Sequence, residues 1–368
     1  VEKHRNKYNT ILTNYFQSKS LYLDATENIR PNTRKLVEQP WQLKELKNWI
    51  SLKIILAEYE FAYALTQIDK YSLSNYWHYV QKETKVNAEQ TYIEIIENPI
   101  RYERHIEWLI GLLDFIKNTK SCVNLIRYKI QILEETDEID SLPEELSKLA
   151  MGIMELDPVT NYIPQYGFPK LEQVYEPFVL LNRCEVICRK LNDLNGLEKC
   201  LGNQGCIYYF ALHYDESIKK FKEQERICRS IDSKSGLIRC LGNSALLYIE
   251  NDVVNALSHL KEQEELCREL EDRINLGVSL INQADIYRDQ GNNYRSLKLL
   301  IEVLKISRAI GNIGNLVQSL TKYSEICFEL GAKKEAITAL DELDNICFDS
   351  DDLKHFTEIS KILRKENI

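Results

Sequence analysis

An internal repeat of about forty residues constrains this chain more than any other feature, because a period of that length implies stacked supersecondary units. The segment Gly196-Leu-Glu-Lys-Cys-Leu-Gly-Asn-Gln-Gly205 returns forty residues later as Gly236-Leu-Ile-Arg-Cys-Leu-Gly-Asn-Ser-Ala245. Leu280-Ile-Asn-Gln-Ala284 follows after thirty-nine, and Leu320-Thr-Lys-Tyr-Ser324 after forty. A small residue stands at Gly205, Ala245, Ala284 and Ser324, with Tyr208, Tyr248, Tyr287 and Cys327 three positions later. A second small column, Ser217, Ala256, Ser296 and Ala336, is followed by Phe221, Leu260, Leu300 and Leu340. Small against large at helical spacing predicts paired helices that approach closely, each hairpin stacking on the next. Turn residues such as Gly291-Asn-Asn293 and Gly311-Asn312 separate them.

The same spacing accounts for the ten cysteines. Cys188, Cys228, Cys267 and Cys347 fall in one column of the repeat, and Cys200 and Cys240 in another. No Cys-x-x-Cys pair occurs, so the cysteines read as small core-lining hydrophobes rather than metal ligands or disulfides.

Only 13 glycines and 8 prolines are present, which favours helix throughout. The formal charge is 47 − 56 = −9, which argues against a general binder of nucleic-acid backbone. No apolar run approaches the roughly 20 residues of a membrane span, and Val1-Glu2-Lys3-His4-Arg5 lacks the core of a signal peptide. A soluble cytoplasmic protein is expected. Val1 stands in place of an initiator methionine within an amphipathic helix, so the chain reads as a fragment whose function could lie partly upstream.

Helical periodicity covers residues 2–17, 34–56, 58–70, 73–83, 87–97, 103–119 and 121–136, with loops near 18–33 and 157–170. Residues 103–136 read as one degenerate repeat whose first helix contains Leu109-Ile-Gly-Leu-Leu-Asp-Phe115. Three prolines between Asp157 and Pro169 predict a break in the stack. The expected division is a helical linker over 1–100, degenerate repeat-like helices and a loop over 101–170, regular repeats over 171–350 and a capping helix over 351–368. Pro40-Trp41 reads more readily as a buried tryptophan of the core than as an anchor for another domain.

Chemistry-bearing motifs are missing. There is no Gly-x-x-x-x-Gly-Lys-Ser/Thr loop, no Gly-x-Gly-x-x-Gly and no Gly-x-Ser-x-Gly. The six histidines are scattered, with no pair at metal-binding helical spacing. No catalytic residue, metal or cofactor is assigned, and an enzyme is the last of the readings.

Small-Tyr followed by small-Phe across a helix-turn-helix resembles the tetratricopeptide repeat. The longer unit, with Leu-Gly-Asn-Gln204 and Lys222-Glu-Gln-Glu-Arg-Ile-Cys-Arg229 echoed by Lys261-Glu-Gln-Glu-Glu-Leu-Cys-Arg268, is similar to the forty-residue kind of kinesin-light-chain-like and nephrocystin-like proteins. The likeness covers about residues 171–350 and implies an all-α, right-handed α-α superhelix; the fourth repeat departs in carrying Lys322 where the others have asparagine. In such a superhelix the first helices line a concave groove. Asn203, Asn243 and Asn282 would form a ladder of amides there, each able to bond the main chain of an extended peptide. The alternative is that these amides tie neighbouring helices together. Lys199 and Arg239 recur one turn earlier and would attract an acidic partner, or else be solvated helix charges. Tyr209, Asp285 and Arg288 would line the same groove.

Tyr15-Phe16, Arg34-Lys-Leu-Val-Glu38, Pro40-Trp-Gln-Leu43, Trp49, Leu52 and Tyr76-Trp77 resemble the helical linker that follows the nucleotide-binding module of STAND-type signalling NTPases, including nephrocystin-like proteins with NACHT modules. That resemblance implies a sensor region capturing a protein or peptide ligand and controlling, with oligomerisation, a module upstream. Two other readings stay open: a freestanding adaptor, and a peptide-responsive bacterial regulator joining a helical effector bundle to repeats in one chain.

Overall fold

A computed structural model of the protein describes residues 2–23, 30–156, 174–249, 251–347 and 354–367. Val1 and the proline-rich segment 157–169 lie outside these residues. The chain forms two compact units whose boundary falls between Ile187 and Cys188.

The first unit contains helices α1 (Glu2–Gln17), α2 (Thr33–Glu45), α3 (Trp49–Ala57), α4 (Tyr59–Ile68), α5 (Ser72–Thr84), α6 (Ala88–Thr91), α7 (Ile93–Glu97), α8 (Ile106–Phe115), α9 (Thr119–Glu135) and α10 (Leu142–Leu156). The beginning of α11 (Tyr175–Leu191) also belongs to it. Strands β1 (Tyr22–Leu23) and β2 (Arg30–Pro31) pair antiparallel within the segment expected to be loop. The helix expected over 34–56 is two helices. Lys47 adopts φ 53° between them, and Asn48 caps α3 by accepting from the Ser51 N–H at 3.1 Å. The helix expected over 87–97 is likewise interrupted, at Tyr92. In the segment expected over 103–119, a 3₁₀ turn at Pro99–His105 precedes α8. The periodicity assigned nothing to α10, which packs against α9.

Aromatic side chains hold this unit's interior. The Trp77 indole N–H donates to the Tyr92 hydroxyl at 2.9 Å, and that hydroxyl donates to the Leu56 carbonyl. Trp108 packs edge-on against Tyr92 and donates to His105 Nδ1 at 3.1 Å. Burial lowers the His105 pKa, and Glu60 opposes the shift. Trp41, by contrast, is 41% exposed. The buried stripe of α2 is Leu36, Gln39, Pro40, Gln42 and Leu43, and one residue beyond Pro40 the helix has turned about 100° outward. Helix α1 is amphipathic with its faces reversed. Asn9, Thr13 and Phe16 are buried, whereas Tyr8, Ile11, Leu12 and Tyr15 are exposed.

The second unit is built from four hairpins: α12 (Leu194–Phe210) with α13 (Tyr214–Ser230), α14 (Lys234–Tyr248) with α15 (Val253–Glu269), α16 (Arg273–Asp289) with α17 (Asn293–Ile310), and α18 (Ile313–Glu329) with α19 (Lys333–Cys347). Helix α20 (Lys354–Asn367) packs on the last pair, where Arg364 bonds Asp341 and Asp344 at 2.7 and 3.1 Å. Both small columns are buried. Their sizes are matched: glycine at 205 faces Phe221, whereas Ala245 and Ala284 face Leu260 and Leu300. A Cβ on Gly202 or Gly242 would meet the Gln224 or Gln263 amide at 2.6 or 2.4 Å. In the third hairpin both partners change together, to Ile281 and Val303.

In the second unit one connection joins nearly every helix to the next. A residue in the left-handed region, such as Asn192, Leu212, Asp232, Glu271, Gly291, Gly311 or Gly331, is followed at once by the next helix's cap. The cap N–H donates five residues back: Ser233 to the Cys228 carbonyl at 2.8 Å, Asp272 to Cys267 at 2.9 Å, Asn292 to Tyr287 at 2.8 Å. At every described cap of these helices but His213 and Ala332 the side chain then accepts from the next helix, as when Asp272 takes the Asn275 N–H at 3.1 Å. The cysteines at 188, 228 and 267 and the Tyr/Cys column thus occupy one structural position, the turn-closing carbonyl. The thirty-nine-residue interval has a local cause, since the Asp252 N–H reaches back four residues to Tyr248, at 2.7 Å. Cys240 and Ser279 are also equivalent. Each donates to a carbonyl of the preceding helix, Phe221 at 3.2 Å and Leu260 at 2.8 Å. The nine described cysteines form no disulfide. Burial pushes the Cys228, Cys240 and Cys267 thiols up to about 12. The Cys347 side chain lies outside the described residues.

Candidate functional site

The first helices of successive hairpins, α12 with α14 and α16 with α18, approach more closely than any two successive second helices. A stack that is tighter along its first helices is concave on that side. Asn203, Asn243 and Asn282 are half-buried on these helices, with Lys199 and Arg239 exposed one turn before the first two.

The structure divides these residues by what engages them. Asn243 donates to Cys206 Sγ at 3.4 Å, tying α14 to α12. Arg239 is held by Glu198 at 3.0 Å. Asp285 pairs with Lys322 at 2.9 Å, and Arg288 with Glu325 and Glu329, so these two candidate residues of α16 are tied to α18. Lys322 therefore replaces an asparagine for a visible reason, as the counter-charge of Asp285. Burial raises the Asp285 carboxyl pKa, and the Lys322 ammonium opposes that rise. The Tyr209 ring packs on Phe210 and Tyr214. Asn282 makes no side-chain hydrogen bond and Lys199 no ion pair among the described residues. Leu246 and Val278 are more than one-third exposed at 36% and 37%, and share the column's helix faces. The central pair α14 and α16 approaches less closely than α12 with α14 or α16 with α18.

Glu198 was not among the expected residues. It is 2% exposed and accepts from Arg239 and from the Gln224 amide, both at 3.0 Å, with Cys228 Sγ at 3.7 Å. A buried carboxylate costs several kcal/mol unless paired and hydrogen-bonded, and here it is both. A signal was present in the sequence: the equivalent positions hold Ile238, Gly277 and Val317, so Glu198 is a charge in an uncharged column. A second missed pattern lies on the second helices and the preceding α11. Arg189–Glu223, Arg229–Glu262, Arg268–Glu302 and Arg308–Glu342 form a ladder of ion pairs at 2.7–2.8 Å, one rung per repeat.

No group of three or more metal-ligating side chains occurs among the described residues, and no described helix is long and apolar enough to cross a membrane.

No protein-family model matches the chain, and no curated protein matches it in sequence. Solved structures match its fold. BtubC (BKLC) from P. vanneervenii superposes with a TM-score of 0.50 at 13% identity, covering 63% of this chain and 89% of that one. The apo form of RapI matches with a TM-score of 0.52 at 13% identity, over 99% of this chain and 98% of its own. A Rap protein complexed with Competence and Sporulation Factor gives 0.52 at 12% identity, over 99% and 96%. At such identities the likeness establishes the fold, an all-α superhelix of the tetratricopeptide kind.

Proposed function

We propose that this chain is a tetratricopeptide receptor that takes an extended segment of a protein or peptide on the first-helix face of α12, α14, α16 and α18. The carrying observation is the division of that face: ion pairs fix Asp285 and Arg288 to α18, while Asn282, one turn from the exposed Val278, and Lys199 on α12 make no such bond among the described residues. An amide bonds a peptide's main chain, the apolar side chains take its anchors, and Lys199 takes a carboxylate. The Rap protein matching over 99% of this chain was solved with Competence and Sporulation Factor, which supports a ligand-binding role for such an architecture. The first unit then carries the response, by ligand-induced population shift. The buried thiols accord with a cytoplasmic setting.

The test is binding of peptides selected from a random display library against the whole chain. Asn203→Ala, Asn243→Ala and Asn282→Ala together should weaken binding about tenfold or more with little change in thermal unfolding. Equal binding by the triple variant discards the site.

A second reading makes the same unit the sensing end of a longer STAND-type NTPase. Its support is the linker-like block from Tyr15-Phe16 to Tyr76-Trp77. A phosphate-loop motif encoded upstream of Val1 would favour it, and an upstream sequence without one would leave the single-chain receptor or a freestanding adaptor.

A further inference from the structure

A different surface of the repeat unit holds a second groove. Two adjoining cavities of about 470 and 520 Å³ share Ile301 and Lys305; the first lies between α17 and α19 and is floored by α18, and the second runs along α17. Tyr294, Lys298, Ile301 and Lys305 follow one another at i, i+4, i+7 and i+11, so they form a single stripe along α17. Tyr294 is 82% exposed and Ile301 is 40% exposed, while the half-buried Tyr323 contributes to the floor. Lys334 projects from α19 on the opposite wall.

Two features set this groove apart from the rest of the stack. Its apolar centre, Ile301, is peculiar to the third hairpin: it stands where α13, α15 and α19 carry Lys222, Lys261 and Asp341, while Tyr294 adds a ring where α13 has Asp215 and α15 has Val254. Its cations are unspent. Arg229, Arg268 and Arg308 of the second helices are engaged in the ion-pair ladder, the last with Glu342 beside this groove. Lys298, Lys305 and Lys334 are exposed and make no ion pair among the described residues. Of the carboxylates in the lining, Glu302 and Glu342 are paired with Arg268 and Arg308, so three unpaired ammonium groups stand against Glu335 alone around the trough, on a chain whose net charge is −9.

We propose that this groove docks an acidic amphipathic segment of a partner protein. Its aliphatic or aromatic side chains would enter between Tyr294, Ile301 and Tyr323, and its carboxylates would meet Lys298, Lys305 and Lys334. Apolar anchoring supplies most of the affinity; the lysines supply orientation and discrimination against basic or neutral segments. The site is separate from the first-helix face, so a partner here and a ligand there can be held together.

The probe is a fluorescein-labelled synthetic helix of about 15 residues, with leucines on one face and glutamates on the other. Two controls accompany it: the same composition with the leucines dispersed around the helix, and the amphipathic sequence with lysine for glutamate. The whole chain should bind the acidic amphipathic peptide at least about tenfold more tightly than either control. Binding should weaken as ionic strength rises from about 0.05 M to about 0.3 M. Ile301→Lys, which installs the residue of the preceding hairpins, and the pair Lys298→Glu with Lys305→Glu should each reduce binding by about tenfold or more; the Glu pair should favour the lysine peptide instead. The triple asparagine variant should bind this probe normally, which separates failure here from failure of the first-helix site. Equal binding of acidic and basic peptides, or full binding by a correctly folded Ile301→Lys chain, overturns the proposal.

Discussion

Replacing Gly205 by alanine and Phe221 by leucine, singly and together, tests whether the hairpins are held by the size matching between their small and large columns. A Cβ on Gly205 would sit 2.6–2.9 Å from three carbons of the Phe221 ring, nearer than real contacts allow. Overpacking of this kind costs about 1–3 kcal/mol, offset by about 1 kcal/mol of helix propensity on replacing glycine. Phe221→Leu opens a void beside Gly205 and should cost about 1–2 kcal/mol. The double variant reproduces the Ala284 and Leu300 pairing of the third hairpin, so it should lie within about 1 kcal/mol of the parent chain, a coupling of about 2 kcal/mol between the sites. The readout must be chosen with care. All four tryptophans, Trp41, Trp49, Trp77 and Trp108, belong to the first unit, so indole fluorescence is blind to this change. Far-UV circular dichroism through a urea titration, with amide exchange in α12 and α13, reports it instead. Additivity of the two single effects within about 0.5 kcal/mol would refute the argument.

Asn9 and Thr13 of α1 are buried with Asn9 Nδ2 and Thr13 Oγ1 unpartnered, so Asn9→Leu should stabilise the first unit by about 1 kcal/mol or more; urea unfolding followed by tryptophan fluorescence measures it, and a loss of stability would show that the site needs the amide. The thiols of Cys228, Cys240 and Cys267 are raised to about 12 from an ordinary 9.0, so the stability they contribute is complete below pH 9 and is lost as pH rises towards 12. Serine at these three positions should flatten the alkaline fall in melting temperature, and an unchanged fall would assign it to other groups. Breaking one rung of the exposed ladder with Arg268→Ala should cost no more than about 1 kcal/mol and less at high salt; a larger, salt-insensitive loss would mean that the rung acts through packing.

The sequence alone determined the repeat, its helical hairpins and the burial of its small, large and cysteine columns, because these depend on side-chain size at i, i+4 and i+40. It also carried the paired change from Gly242 and Gln263 to Ile281 and Val303, which shows its meaning once the side chains are seen in contact. The left-handed connections were legible at Gly291 and Gly311 and hidden at Leu212, Asp232 and Glu271, where the 6→1 bond and the following cap stabilise a conformation that those side chains disfavour. Partner choice across the stack was decided only in three dimensions. Arg239 is equivalent to Lys199 by sequence, yet among the described residues one pairs with a buried carboxylate and the other with none, because Arg239 lies within reach of Glu198 on α12, the first helix of the preceding hairpin. The outward turn of Trp41 and the reversed face of α1 have the same origin. Periodicity gives the angle between side chains around a helix, and the packing of neighbouring helices decides which angle faces inward.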